Sequence, residues 1–176
     1  YGILFDDGSH YNTVGGLGSG EGNLLSGNSG YGLFLYNNGT TENWCYGNLI
    51  GTDFLGTSAV PNGNGVVIDG IATRHVLDKN VISGNIQNGI AIHITGTNEH
   101  HITRNFIGTD ITGTLPLGNG ADGIRIAEGG QYNIIGGPDS GNVIAYNGGN
   151  GITVLTAADY GNTFSENLIY GNAQLG

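Results

Sequence analysis

Three residues of the chain place an acid, an imidazole and a guanidinium on three successive units of a repeated pattern. Asp69 follows Gly65-Val66-Val67-Ile68, His93 follows Gly89-Ile90-Ala91-Ile92, and Arg125 lies within Gly123-Ile124-Arg125-Ile126. On one outward face, such a set offers a proton donor, a base and a cation, the groups that uronide cleavage or glycoside hydrolysis needs. Repeat register alone also lines up any outward residues, so a solvated polar face is the competing reading. A second set is carboxylate only. Asp53 and Asp110 each follow Gly-Thr in equivalent segments 57 residues apart, and Asp122 closes the second segment. Ca²⁺ takes six to eight oxygens, which these acids and loop carbonyls could supply. The local alternative is an Asx-turn that bonds nearby N–H groups. His75, His93, His100 and His101 lack the spacing of a zinc-protease helix. Cys45 is the single cysteine and has no disulfide partner. Trp44, Tyr31, Tyr36 and Tyr46 could stack on sugar rings or cover a corner. Asn38-Gly39-Thr40 fits a glycosylation sequon.

The elements that would position these groups are repeated. Asn followed by two apolar residues recurs at Asn23, Asn48, Asn80, Asn105, Asn142 and Asn167. A Gly-apolar-any-apolar stretch begins at Gly2, Gly32, Gly65, Gly89, Gly123 and Gly151. Between them lie Asn12-Thr13-Val14, Asn43-Trp44-Cys45, His75-Val76-Leu77, His100-His101-Ile102, Asn133-Ile134-Ile135 and Asn162-Thr163-Phe164. Each stretch is too short for a helix and is rich in β-branched or aromatic residues. Gly and Asn between them suit tight, left-handed turns. Such a repeat cannot bury its apolar side alone, and stacking buries a continuous core. The expectation is an all-β solenoid of about six rungs with three short strands each, in one domain over residues 1–176.

Alternation along each strand assigns faces. Ile68, Ile92 and Ile126 are expected inside, and Cys45 aligns with Val14, Leu77, Ile102, Ile135 and Phe164 as a core thiol. Trp44 then points outward. The six recurring Asn are expected to form an inward ladder of stacked amides that satisfies turn backbone. His75 and His100 occupy Asn positions of the third mark and are expected to serve the turn. Lys79, Arg104 and Glu166 share one register, which places Arg104 near Lys79, with Asp78 and Glu99 to offset the charge. From the Asn mark to the next Gly strand the gap is 9 residues after Asn23, Asn80 and Asn142, but 17 after Asn48 and 18 after Asn105. Two long loops therefore leave one corner two rungs apart.

These marks resemble the right-handed parallel β-helix repeats of the pectate-lyase-like superfamily, over nearly the whole chain. Asn48-Leu49-Ile50-Gly51-Thr52-Asp53 and Asn105-Phe106-Ile107-Gly108-Thr109-Asp110 resemble tandem repeats of bacterial secreted and surface proteins. The resemblance implies a right-handed coil, which hosts lyases, hydrolases, epimerases, adhesins and inert stalks. Lyases of this fold usually bind Ca²⁺ through clustered acids and use an Arg or Lys base. This chain departs from that pattern: no dense acidic cluster adjoins a base, and its cations are Arg74, Lys79, Arg104 and Arg125 alone.

Composition narrows the partners. The formal net charge is −10, with 4 basic against 14 acidic residues, which leaves no basic stripe for nucleic acid. No apolar run reaches the length of a membrane-spanning helix. The 36 Gly and 22 Asn exclude a helical bundle, and the Gly residues lack the period of collagen. Tyr1 directly precedes the first Gly strand, and the spacing after Asn167 places the next Gly at 176. The expectation is a segment of a longer solenoid, or an uncapped unit that stacks end to end with adjoining repeats or copies of itself. The functional expectation is an extracellular or cell-surface structural module: a rigid stalk, surface or filament-forming repeat. The alternatives are a lyase or hydrolase of an acidic polysaccharide, or a glycan-binding adhesin module.

Overall fold

A computed structural model describes residues 1–174; the Gly expected to open a further strand at 176 lies outside the described residues. Eighteen short strands, numbered along the chain, form three parallel sheets of six. The first sheet holds β1 (Ile3–Phe5), β4 (Tyr31–Leu35), β7 (Asn64–Ile68), β10 (Ile90–Ile92), β13 (Ile124–Ile126) and β16 (Ile152–Val154). The second holds β2 (Thr13–Gly15), β5 (Trp44–Tyr46), β8 (Val76–Asp78), β11 (His101–Thr103), β14 (Ile134–Gly136) and β17 (Thr163–Ser165). The third holds β3 (Leu24–Leu25), β6 (Leu49–Ile50), β9 (Val81–Ile82), β12 (Phe106–Ile107), β15 (Val143–Ala145) and β18 (Leu168–Tyr170). Every third strand pairs with its counterpart one rung on, so the chain is a parallel β-helix of six rungs.

The register follows the sequence marks: Ile90 lies opposite both Val66 and Ile124, Ile102 opposite Leu77 and Ile135, and Ile107 opposite Ile82 and Ile144. These side chains and Cys45 are buried in one continuous cluster along the axis. Each fully buried Ile or Leu there contributes on the order of 1.5–3 kcal/mol. Phe5 and Val154, at the two ends of the column that holds Ile68, Ile92 and Ile126, are half-buried and exposed respectively, because the described coil has no rung beyond them. Gly opens the first-sheet strands because a side chain would not fit. A Cβ at Gly89 would stand 2.7 Å from the Gly123 carbonyl oxygen and 2.9 Å from the Ile107 side chain.

Corners reverse the chain through left-handed residues. Tyr11, Glu42, Arg74, Glu99 and Tyr132 all have positive φ and each directly precedes an Asn or His of the third mark. Such non-glycine residues cost about 1–3 kcal/mol each unless their surroundings hold them. Here the column alternates in charge, with Arg74 3.6 Å from Glu42 and 3.7 Å from Glu99. The two long loops are small hairpins, with antiparallel bridges Thr52 to Ala59 and Thr109 to Pro116. Although they leave rungs that are not neighbours, they touch: Ile111 N–H donates to the Gly56 carbonyl at 2.9 Å.

Candidate functional site

The recurring Asn do form a ladder. From Asn23 through Asn48, Asn80, Asn105 and Asn142 to Asn167, each side-chain N–H donates to the next Oδ1 at 2.8–3.0 Å. The second amide hydrogen of Asn48, Asn80, Asn105, Asn142 and Asn167 goes to a second-sheet carbonyl at 2.8–3.0 Å. Backbone N–H groups of Asn48, Asn80 and Asn105 bond the same next-rung Oδ1 atoms. In the interior rungs every polar atom of these amides is engaged, as burial requires.

A second ladder of equal length escaped the sequence reading. Asn28, Asn62, Asn85, Asn119, Asn147 and Asn172 are linked at 2.8–3.0 Å where the third sheet gives way to the first. A signal was present: each lies 5 residues after its Asn mark in the short rungs and 14 after it in the long ones. The nine-residue hairpins hid that constancy.

The third column is mixed. Asn12 donates to Asn43 at 2.9 Å and Asn133 to Asn162 at 2.8 Å. Between them, His75 Nδ1 accepts from the Asn43 N–H and His100 Nδ1 from the His75 N–H, both at 3.2 Å. The imidazoles therefore replace Asn as corner acceptors, in line with the turn role expected of them. Their rings stack with centroids 5.3 Å apart, and both Nε2 atoms are buried without a partner among the described residues. Burial pushes His75 down to about 4, against the opposing influence of Asn43 and Thr40 main chain. Burial, then the neighbouring His75 and His101, push His100 well below the ordinary histidine range.

The acid–imidazole–guanidinium set is not joined by contacts among the described residues. Asp69 accepts its own neighbour, the Gly70 N–H, at 2.6 Å, and the His93 ring makes no hydrogen bond among the described residues. Asp69 and His93 each follow a paired position, Ile68 opposite Ile92, but Arg125 lies opposite Ala91, two residues before His93. Arg125 approaches Asp122 at 3.9 Å. The three carboxylates do not converge either. Asp53 accepts the Thr57 and Ser58 N–H groups at 2.8 and 3.1 Å, which hold its pKa below the usual carboxylate value. Desolvation pulls Asp110 up, but the Leu115 N–H, the Thr112 hydroxyl and the Thr114 N–H together bring it below that value. Both lock their hairpins as Asx-turns. Asp122 sits apart, accepting the Asn150 N–H at 2.8 Å. Among the described residues, no three His, Cys, Asp or Glu are grouped to hold a metal ion.

Several other expectations resolve. Cys45 is buried, and desolvation pushes its thiol up to about 12, so it is inert at neutral pH. Trp44 lies outward, stacked on Tyr11 at 6.1 Å. The Phe34 ring is shielded by Tyr1, Tyr31 and Tyr36 at 4.8–5.1 Å, an aromatic packing cluster. Arg104 shares the register of Lys79, since Thr103 pairs with Asp78, and both line one groove. The Arg104 planar fork clamps the buried Asp78 carboxylate at 2.8 and 2.6 Å, which offsets its charge as expected. Asn38 is exposed, while Thr40 of the same sequon is buried and accepts the Gly8 N–H at 3.3 Å.

Two adjoining grooves of about 480 and 430 Å³ lie on the outer face of the third sheet and share Gly47, Leu49, Lys79 and Ile111. A third, of about 440 Å³, crosses the second sheet between Trp44, Val76, His101 and Ile134, rimmed by Glu42, Arg74 and Glu99.

Coil, ladders and surface grooves together define a parallel β-helix solenoid. No protein-family model matches the chain, and no curated protein or solved structure matches it.

Proposed function

We propose that this chain is a rigid, non-catalytic β-helix module of an extracellular or cell-surface protein, a spacer whose rungs continue into adjoining repeats or further copies. One observation carries the reading: three six-membered side-chain columns run through the coil and engage its buried Asn and His in holding backbone. The charged residues follow the same rule. Asp53, Asp110 and Asp159 cap turns, and Arg104 clamps Asp78. A stack whose repeats bond only their neighbours extends without limit and keeps its stiffness, which suits a stalk.

The experiment is incubation of the purified chain with a panel of acidic and neutral polysaccharides, with and without Ca²⁺. Ultraviolet absorbance of unsaturated uronides and release of reducing ends are followed. No release above the buffer blank is expected. Release that disappears in Asp69→Ala or His93→Ala would overturn the reading in favour of a lyase or hydrolase. Light scattering and electron microscopy test the stacking: length growing along the coil axis with concentration is expected, and a monomer at every concentration removes self-assembly from the proposal.

A further inference from the structure

The outer face of the third sheet carries an unusual column. The first residue after each ladder Asn points outward, where a solvated sheet would place polar side chains. Here those positions hold Leu24, Leu49, Val81, Phe106, Val143 and Leu168. The hairpins wall one side with Phe54, 75% exposed, and Ile111; the corner segment with Leu17 walls the other. Leu24 is exposed and Leu49 and Phe106 are half-buried, whereas Val81 between them is buried; an apolar strip open to solvent along part of its length in this way marks an interaction surface.

The strip is also where the scarce positive charge collects. The chain has only 4 Lys and Arg, and two of them, Lys79 and Arg104, line these grooves. Arg104 is neutralised by Asp78. The Lys79 ammonium has no ion pair or hydrogen bond among the described residues, and its backbone holds a left-handed φ of 57°. Glu21 in the bounding segment folds back onto the Gly18 N–H at 2.8 Å.

Chemistry selects the occupant. Strands β6, β9 and β12 under these grooves each bond the rungs above and below them, so the face they present offers no free backbone groups. An extended peptide laid over it would leave its own N–H and C=O groups facing hydrocarbon, and a sugar would leave its hydroxyls so. A hydrocarbon chain needs no such partners. Lys79 lies on the rung of Val81, so from it to Leu24 the column covers three rungs, roughly 10 Å at the strand spacing, a length that an extended chain of about a dozen carbons covers.

We propose that this face binds a single-chain anionic amphiphile, a fatty-acid carboxylate, with its tail along the apolar column and its carboxylate on Lys79. The site is independent of the structural role proposed above.

The test titrates ¹³C-carboxyl dodecanoate, kept below its micelle-forming concentration, into the intact chain, with NMR and calorimetry as readouts. One saturable site is expected. Lys79→Glu is expected to weaken binding about tenfold or more, the range for loss of one charge-assisted hydrogen bond. Leu24→Asp, at a half-exposed position, is expected to do likewise through the tail. Circular dichroism checks that both variants keep the β-sheet signal. The neutral methyl ester is expected to bind about tenfold more weakly than the carboxylate. Absence of saturable binding, or binding indifferent to Lys79→Glu, would overturn the proposal. So would capture of anionic phospholipid vesicles or of an acidic peptide without binding of monomeric dodecanoate.

Discussion

The stacked pair His75 and His100 makes the coil sensitive to acid in a window that its carboxylates do not share. Both rings are neutral in the fold: each Nδ1 accepts a backbone N–H, and neither Nε2 has a partner among the described residues to stabilise charge. In the unfolded chain both take a proton near pH 6.5. The unfolded state therefore binds more protons below that pH, and stability falls as pH falls. For His75, held at about 4 in the fold, the loss at pH 4 is roughly 3 kcal/mol, and it levels off below. His100, pushed further down, adds a loss of the same sign. Asp53, Asp110 and Asp159 are held below the ordinary carboxylate value, so their contribution is lost only as pH falls below about 4. The assay is urea unfolding from pH 7.5 to 4, followed by circular dichroism, with imidazole titration by NMR. A clear drop in midpoint between pH 6.5 and 4 is expected. In His75→Asn the amide oxygen can take the Asn43 N–H and the amide hydrogens replace the orphaned Nε2–H. That variant is expected to lose much of the drop. A flat midpoint over this range, or an imidazole of His75 titrating near 6.5 in the folded protein, would refute the reasoning.

Other perturbations test the remaining parts. Asn105→Ala removes four bonds of 2.8–3.0 Å and orphans the buried Asn80 donors. It is expected to cost about 3–5 kcal/mol in urea unfolding, well above Asn38→Ala on the surface. Gly89→Val drives a side chain into the Gly123 carbonyl and the Asn119 amide and is expected to lower the melting temperature sharply, with a loss of at least about 2 kcal/mol. Asp78→Ala, which strips the clamp from Arg104, is expected to cost about 1–3 kcal/mol, and Asp78→Ala combined with Arg104→Leu to recover part of it in a double-mutant cycle. Asp110→Ala loosens the second hairpin by about 1 kcal/mol whether EDTA or Ca²⁺ is present, read by thermal unfolding and by exchange of the Leu115 N–H.

Much of the coil was legible in sequence because each rung must bury the same two or three positions. Ile92 and Ile102 sit where alternation put them, and Cys45 falls in the Ile102 column. The ladder through Asn48 and Asn105 was legible for the same reason: an amide that bonds its own kind must recur. The ladder through Asn62 and Asn119 was not, since hairpin insertions break its spacing and only the structure realigns it. Register placed Arg104 beside Lys79 with Asp78 at hand, but the bidentate clamp on Asp78 depends on side-chain geometry at the strand end that spacing does not carry. Asp122 is close in sequence to the second hairpin but belongs to the approach to β13, where Asn150 engages it. The apolar outer column beginning at Leu24 was visible in the very motif that defines the rung. The two apolar residues of the motif look alike in sequence, and only the pleat separates the outward first from the buried second.

The claim that buried amides hold this solenoid together is tested most directly by side-chain amide hydrogen exchange, read by NMR at assigned Asn NH₂ groups. Slow exchange is expected for Asn48, Asn80, Asn105 and Asn142, and equally for Asn62, Asn85, Asn119 and Asn147, with rapid exchange at exposed Asn38. Ladder amides exchanging as fast as Asn38 in the folded chain would contradict it.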